Sequence, residues 1–146
     1  MFQIRPEFAA WDIDHSRFEV TAVIGKGQYG TVARATDHLS NTTVAIKKID
    51  GLFSHPEIAK RIFREVKILR QLQHANVVKL LHISCPGIHN PSVNLDNFSC
   101  LYIVLELVEG GDLDKLLSSF QTLEDIHTQF SCWRSASAHA FLQAAT

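Results

Sequence analysis

Apolar and polar residues alternate in three short runs near the start of the chain. The runs occupy residues 18–24, 31–36 and 43–49 and are rich in valine, isoleucine and threonine. Alternation with a period of two in β-branched residues predicts strands. Glycine-rich or polar turns separate the runs, so the simplest arrangement is three antiparallel strands joined by short connections.

The apolar spacing changes from two to about 3.6 residues at Pro56, which predicts a helix. Proline suits the first helical turn, and Ser54 or His55 before it can act as the cap. Glu57 favours the N-terminal end of the helix dipole. One face of roughly four turns is apolar. Its residues at helical spacing are Ile58, Ile62, Val66, Leu69 and Leu72.

Two further strands and a short helix are predicted after the main helix. Residues 77–81 and 101–105 are the strands, and a polar loop containing proline and glycine connects them over residues 86–99. Two glycines then precede a short helix at residues 112–118. The pattern as a whole predicts an α+β fold with a five-stranded antiparallel sheet and one major helix.

Length and composition exclude several classes of protein. A chain of 146 residues suits one domain, and 46% hydrophobic residues are enough for a packed core. A net charge of -1 indicates neither nucleic-acid nor anionic-membrane binding. The sequence has no signal-peptide pattern, so the expected location is the cytoplasm or the nucleus. Three separated cysteines and eight histidines without ligand spacing predict no metal site.

Residues 25–30 form the pattern G-x-G-x-x-G. Glycines lack a Cβ, so backbone N–H groups can approach phosphate oxygens closely. This pattern occurs in two unrelated folds. In a dinucleotide-binding Rossmann fold it opens a long helix, whereas in a protein kinase it forms a hairpin that returns as a strand.

The segment after the glycines helps to distinguish these folds. Residues 31–42 are rich in β-branched and turn residues and show no helical apolar stripe. Asp50 lies 20 residues beyond Gly30, near the position of a ribose-binding acid in a Rossmann fold. It follows a strand with lysines and precedes Gly51, which favours a turn aspartate. A dinucleotide-binding domain stays an alternative that requires a helix at residues 31–42.

Val44-Ala45-Ile46-Lys47 supplies a second motif, on the third predicted strand. Together with the glycine pattern it resembles the N-terminal lobe of a eukaryotic Ser/Thr protein kinase. The resemblance implies the kinase N-lobe fold, with helix αC as its major helix, followed by the start of the C-terminal lobe. It also implies that Lys47 contacts the α- and β-phosphates of ATP and that Glu65 of the helix pairs with Lys47.

The resemblance assigns further residues to ATP binding. Val32 and Ala45 would press on the adenine, and Leu105 falls at the gatekeeper position. Backbone groups of Glu106 and Val108 would hydrogen-bond the adenine. Asp112 would contact the ribose or cap the next helix. The other residues that the resemblance implies in ATP binding are Ile24, Gly25, Lys26, Gly27, Gln28, Tyr29 and Gly30.

The runs at residues 48–49, 52–54, 59–69 and 112–117 resemble MAP kinases, with cyclin-dependent kinases as near neighbours. The resemblance extends over residues 11–130 and implies ATP and Mg²⁺ as cofactors. It also implies a protein substrate, an activating kinase and a scaffold as partners.

This resemblance divides the chain into four parts. The predicted organisation is an N-terminal extension at 1–17, the ATP-binding lobe at 18–109, the hinge exit and start of the C-lobe at 110–130, and a divergent tail at 131–146.

The chain contains no H-R-D, D-F-G or A-P-E motif. These motifs carry the catalytic aspartate and the Mg²⁺ ligands of the family, so we expect this chain alone to be inactive. We also expect marginal stability and weak nucleotide binding. The Ser/Ala-rich texture of residues 131–140 suggests an out-of-frame or alternative segment. A second hypothesis is therefore a non-catalytic short isoform that competes for activators or scaffolds.

Overall fold

A computed structural model describes residues 5–27, 30–86 and 100–109, together with 129, 131, 132, 134 and 135. In these residues one antiparallel sheet has the strand order β1-β2-β3-β5-β4, and one long helix, α1, accompanies it. The predicted α+β fold is confirmed. The elements are a 3₁₀ turn at Pro6–Phe8, β1 at Phe18–Gly27, β2 at Gly30–Asp37, β3 at Thr42–Asp50, α1 at Pro56–Gln71, β4 at Leu80–Ser84 and β5 at Cys100–Glu106.

The segment after the glycines is a strand. β2 pairs antiparallel with β1 on one side and with β3 on the other. A Rossmann fold would need a crossover helix here, so the dinucleotide-binding alternative is wrong. Asp50 ends β3 and contacts Lys48 at 2.9 Å, and Gly51 follows with a φ of 63° in the left-handed region. Asp50 is thus a strand residue that pairs with Cys100 of β5, and the predicted turn starts only after it.

Side chains on alternate faces of the sheet form two separate apolar clusters. Near α1 the cluster consists of Ile49, Leu52, Ala59, Ile62, Leu101 and Ile103. The opposite face carries Phe18, Val20, Ala33, Ala35, Val44, Ile46, Cys100, Tyr102 and Val104. β5 contributes to both clusters, and therefore the centre of the sheet is covered on both sides.

The N-terminal segment covers the sheet face opposite α1. Phe8, Trp11 and Ile13 are at most 7% exposed and belong to the cluster on that face. The Trp11 ring lies 5.5 Å from that of Phe8 and 5.8 Å from that of Tyr102, between ring centroids. The sheet is thus enclosed between this segment and α1, a three-layer arrangement around one sheet.

Helix α1 begins as predicted at Pro56, but its cap differs from the prediction. His55 is the N-cap residue, and neither ring nitrogen caps the helix. Its carbonyl oxygen accepts from the N–H groups of Ile58 and Ala59 at 3.0 and 3.1 Å. Ser54 lies in the preceding turn, where its N–H donates to the carbonyl of Gly51. The helix ends at Gln71, and the C-cap residue Leu72 adopts an extended backbone.

The prediction of a strand at residues 77–81 is wrong in its position, because β4 runs over Leu80–Ser84. Val77 belongs to a turn, since its N–H donates to the carbonyl of His74 at 3.0 Å. Strand pairing starts where Leu80 faces Leu105 of β5. The predicted loop lies mostly, and the predicted short helix wholly, outside the described residues. No helix in the described part of the chain is long and apolar enough to cross a membrane.

Candidate nucleotide-binding site

Lys47 occupies the middle of β3 on the face that carries α1. In the sheet it faces Val32 of β2 and Ile103 of β5. Ile103 is fully buried, whereas the Lys47 side chain keeps 21% exposure. The strand pairing fixes the base of the side chain, and the ammonium group lies near solvent between the sheet and the helix.

The Lys47 ammonium contacts both carboxylate oxygens of Glu65. The distances from Nζ are 2.9 Å to Oε1 and 3.2 Å to Oε2. Glu65 lies in the middle of α1, so the contact joins the centre of the helix to the centre of the sheet. A lysine has a flexible four-carbon stem, and a bidentate carboxylate partner restricts the position of its charge. The structure thus brings together the two residues that the resemblance paired.

Lys48, the next residue, lies on the opposite face. Its Nζ contacts Asp50 at 2.9 Å and lies 5.9 Å from the centroid of the Trp11 ring. Successive residues of a strand point to opposite sides of the sheet, so these two lysines have different surroundings. Lys48 therefore provides a control for Lys47 within the same strand.

The glycine-rich segment forms the hairpin predicted for it. In the β1–β2 ladder Gly25 faces Val32, Lys26 faces Thr31 and Gly27 faces Gly30. A Cβ at Gly27 would meet no atom within 4 Å, and one at Gly25 would make only ordinary contact with Val32. The hairpin surface near these glycines is open, as a backbone phosphate cradle requires. Gln28 and Tyr29 lie outside the described residues.

Gly30 has a different role in the hairpin. Its φ is 143°, and a Cβ at this position would lie 1.8 Å from the carbonyl oxygen of Lys48. Only a residue without a side chain allows β2 to approach β3 this closely. The third glycine of the pattern is therefore needed for strand packing. The sequence motif alone does not distinguish this packing role from a role in phosphate binding.

The residues assigned to the adenine share the sheet face of Lys47. Val32 directly faces Lys47, and Ala45 lies two residues before it. Ala45 in turn faces Leu105 on β5. Ile24 and Val108 are 38% and 59% exposed, so their apolar surface is accessible. Val32, Ala45 and Leu105 thus form an apolar patch beside Lys47 in the middle of the sheet.

The backbone at the end of β5 is partly engaged within the protein. The N–H of Glu106 donates to the carbonyl of Lys79 at 3.0 Å. This N–H is therefore not available to a ligand, which narrows the predicted contact at Glu106 to its carbonyl oxygen. The backbone of Val108 follows beyond the strand. Asp112 lies outside the described residues, and its assignment stays a prediction.

Ile103 is a residue of this site that the sequence analysis did not assign. It faces Lys47 in the β3–β5 ladder and is buried in the cluster beneath α1. Its position could have been found by counting two residues back from Leu105, because residues two apart share a face of the sheet. Ile103 supports the strand that carries Lys47, and Leu105 lies closer to the hinge.

The residues present fit a nucleoside triphosphate. A bidentate lysine–glutamate pair, an open glycine hairpin and an apolar patch lie on one side of the sheet. A lysine ammonium and backbone N–H groups bind phosphate oxygens, and an apolar patch suits a purine ring. In the described part of the chain no group of three His, Cys, Asp or Glu side chains could hold a metal ion, so we assign no Mg²⁺ ligand.

Several MAP kinases are similar to this chain over most of its length. Mitogen-activated protein kinase 16 of Oryza sativa subsp. japonica is 40% identical over 141 residues, which are 97% of this chain and 27% of the relative. Mitogen-activated protein kinase 20 of Arabidopsis thaliana is 40% identical over 132 residues, or 90% of this chain and 21% of the relative. The chain thus spans about a quarter of the length of these curated relatives.

A family model identifies the domain. The model for the protein kinase domain matches residues 18–145, which is most of the chain. The match starts at the first residue of β1 and continues past residue 130, further than the resemblance seen in the motifs. The hairpin, the Lys47–Glu65 pair and the sheet order agree with this match. The chain belongs to the protein kinase family and is similar to its MAP kinases.

Proposed function

We propose that this chain forms the ATP-binding part of a MAP kinase-like Ser/Thr protein kinase. The observation that carries the proposal is the contact of Lys47 with both oxygens of Glu65, on the sheet face next to the glycine hairpin. The whole protein would transfer the terminal phosphoryl group of ATP to a serine or threonine hydroxyl. Its partners would be a protein substrate, an activating kinase and a scaffold, in the cytoplasm or the nucleus.

Lys47 would bind the α- and β-phosphates of ATP through its ammonium group. Glu65 accepts hydrogen bonds from the same ammonium, so it holds the charge in place before the nucleotide arrives. Pre-positioning reduces the side-chain entropy that is lost when the phosphates bind. A free lysine at this position would sample many rotamers, and its contact with phosphate would be weaker.

The glycine hairpin would cover the phosphates from above. Open space at Gly27 leaves its backbone free to approach oxygen atoms. Val32 and Ala45 would contact one face of the adenine, and the carbonyl of Glu106 and the backbone of Val108 would hydrogen-bond its edge. Mg²⁺, when bound with ATP, neutralises phosphate charge and orients the terminal phosphoryl group.

Nucleotide binding by two matched lysine variants tests this proposal. Lys47→Met should weaken ATP binding about tenfold or more, because a charge-assisted contact with phosphate is lost. Lys48→Met changes the adjacent residue on the other face of the sheet and should leave ATP binding within about twofold. Isothermal titration calorimetry on the purified chain measures both.

Adenosine provides the second arm of the test. It has no phosphates, so Lys47→Met should leave its affinity unchanged while ATP affinity falls. An equal loss for both ligands would indicate a general disturbance of the sheet rather than a phosphate contact. The proposal would be overturned if Lys47→Met and Lys48→Met had the same effect on ATP binding.

A further inference from the structure

A buried ion pair ties together the hairpin of β1 and β2 at the end away from its turn. Arg17 lies just before β1, and its Nε and Nη2 donate to the two carboxylate oxygens of Asp37 at 3.1 and 2.9 Å. The Asp37 side chain is only 4% exposed and also accepts from the N–H of Leu39 at 3.0 Å. The N–H of His38 donates to the carbonyl of Arg17 at 2.9 Å. One carboxylate thus joins the start of β1 to the end of β2 and to the turn that follows it.

The ladder of this hairpin has different registers at its two ends. At the turn Gly27 faces Gly30. A regular antiparallel ladder continued from that pair would bring Phe18 opposite Leu39. In the structure Phe18 faces Asp37. β1 spans 10 residues and β2 only 8 over the same ladder, and two register shifts in β1 take up the difference.

The two shifts are β-bulges that lie close to the glycines of β1. They skip Thr21 and Ile24 in the pairing with β2. Thr21 still binds β2 through its side chain, because its Oγ1 donates to the carbonyl of Arg34 at 3.1 Å. Ile24 is 38% exposed and is one of the residues that the kinase resemblance implies in ATP binding. A bulge bends its strand, increases the twist and re-aims a side chain. The bulges therefore determine the direction in which Ile24 and the glycines beyond it face.

We propose that the ion pair between Arg17 and Asp37 fixes this bulged register and thereby positions Ile24 and the glycine backbone for the nucleotide. Both positioning residues act on the site of the proposed ATP-binding function, on which this inference rests. A ladder without bulges would place Asp37 opposite Val20 and carry it about 7 Å along β1, away from Arg17. The ion pair therefore forms only in the bulged register.

The apolar residues of β1 do not select between the two registers. Phe18 and Val20 are buried in the core. A shift by two residues returns each side chain to the same face of the sheet, so both would stay on the core side in either register. Apolar contacts are not directional, whereas a bidentate contact between a guanidinium and a carboxylate has one geometry. A buried ion pair adds little net stability compared with an apolar pair, and fixing a register is its best-attested use.

Replacing the ion pair by an apolar pair separates register from stability. Arg17→Met combined with Asp37→Leu should keep the urea midpoint close to that of the unaltered chain. Leu39 is 78% exposed, so its N–H can bond to water instead. ATP binding, measured by isothermal titration calorimetry, should weaken about fivefold or more, because the site is no longer held in its binding geometry. As a control, Lys48→Met combined with Asp50→Asn removes an ion pair of β3 and should leave ATP binding within about twofold.

A disulfide that restores the register provides the second arm of the test. Glu19 faces Thr36 in the observed ladder, whereas a ladder without bulges would bring Glu19 opposite His38. Glu19→Cys and Thr36→Cys can therefore form a bridge only in the bulged register, because a disulfide requires Cα atoms within about 7 Å of each other. Added to the apolar pair, the oxidised bridge should restore ATP binding to within about twofold of the unaltered chain. Reduction with dithiothreitol should weaken it again.

Arg17→Lys decides the question if the apolar pair fails to fold. Lysine keeps the charge but lacks the planar fork that binds both carboxylate oxygens, so ATP binding should weaken about threefold and the oxidised bridge should restore it. Unchanged ATP binding in the folded apolar variant or in Arg17→Lys, or a bridge that restores nothing, would overturn the inference. If Lys47→Met still weakened ATP binding in that case, the proposed function would stand and the role of the ion pair alone would be contradicted.

Discussion

Two adjacent lysines of β3 differ because of their position in the strand. Lys47 contacts Glu65 beside the glycine hairpin, whereas Lys48 contacts Asp50 and lies near Trp11. Both residues are lysines with the same charge, so they differ only because successive side chains of a strand point to opposite faces of the sheet. The strand pairing that orients β3 therefore decides which of the two lysines faces Glu65 and the glycine hairpin.

A substitution at Gly30 tests whether the close approach of β2 and β3 requires glycine at this position. Gly30→Ala should destabilise the protein by about 2 kcal/mol or more, because its positive φ disfavours a side chain and the added Cβ meets a backbone carbonyl. That carbonyl belongs to Lys48 and would lie at 1.8 Å. Urea unfolding followed by circular dichroism measures the loss.

Gly27→Ala is the matched control for this glycine. A Cβ at Gly27 meets no atom within 4 Å, so its free energy of unfolding should change by no more than about 0.5 kcal/mol. If both substitutions had the same effect, the close approach of β2 and β3 at Gly30 would not be what requires glycine there.

The ion pair between Arg17 and Asp37 predicts a dependence of stability on pH. Arg17 donates to both carboxylate oxygens of Asp37, at 3.1 and 2.9 Å, and the N–H of Leu39 donates at 3.0 Å. These bonds, the one from Arg17 above all, lower the pKa of Asp37 to about 2 from its usual 3.8. The contribution is therefore fully present above about pH 4 and is lost as pH falls towards 2.

Asp37→Asn should lower the free energy of unfolding by about 2 kcal/mol near neutral pH. The difference from the unaltered chain should shrink as pH falls from about 4 to about 2, because protonation removes the same charge. Asp50→Asn changes a surface pair and should cost less than about 1 kcal/mol at every pH. A difference for Asp37→Asn that stayed constant down to pH 2 would contradict the assignment.

The site residues that stand in recognisable sequence motifs could be predicted from the sequence. Contacts between residues that lie far apart along the chain could not. The glycine pattern and Lys47 stood in recognisable motifs, and Glu65 was the acid near the middle of a predicted helix. The packing of Gly30 against Lys48 depends on the register between two strands. No short motif encodes that register, because it follows from the whole ladder.

Helix α1 depends on a narrow buried stripe for its attachment to the sheet. Ile62 is 2% exposed in the cluster beneath the helix, whereas the next residue, Phe63, is 56% exposed. Ile62→Ala should cost about 3 kcal/mol and Ile62→Val about 1 kcal/mol, following the lost apolar contacts and the cavity left behind. Phe63→Ala should cost less than about 1 kcal/mol.

Thermal unfolding of these three variants measures their order of stability directly. The predicted order of stability is Phe63→Ala, then Ile62→Val, then Ile62→Ala. A larger loss for Phe63→Ala than for Ile62→Ala would show that the exposed phenylalanine packs on something within the chain.

β4 is the element whose position was predicted wrongly from the sequence. Val77-Val78 looks more strand-like than the polar residues His82 and Ser84, so the apolar pattern favoured the earlier segment. In the structure Ser84 is 2% exposed and pairs with Tyr102 of β5. Pairing with β5 overrides local propensity, as is common where the partner strand is buried on both faces.

At the scale of the whole described domain, one sheet packs against an apolar layer on each of its two faces. On β5, Tyr102 and Val104 belong to the layer under the N-terminal segment, and Leu101 and Ile103 to the layer under α1. Removing either layer would expose one face of the same strand to water. Neither layer can keep its packing without the sheet, and therefore the described domain should unfold as one cooperative unit.

Two probes on opposite sides of the sheet test this cooperativity. The chain has two tryptophans, so Trp133→Phe leaves Trp11, buried under the N-terminal segment, as the reporter of that layer. Far-ultraviolet circular dichroism reports the helical residues, most of which, in the described part of the chain, belong to α1. In urea the two transitions should coincide, and Ile62→Val in the helical layer should shift both midpoints equally, because β5 couples the layers. A shift of the dichroism transition with an unchanged Trp11 transition would show that the N-terminal segment and its half of the core fold independently of α1.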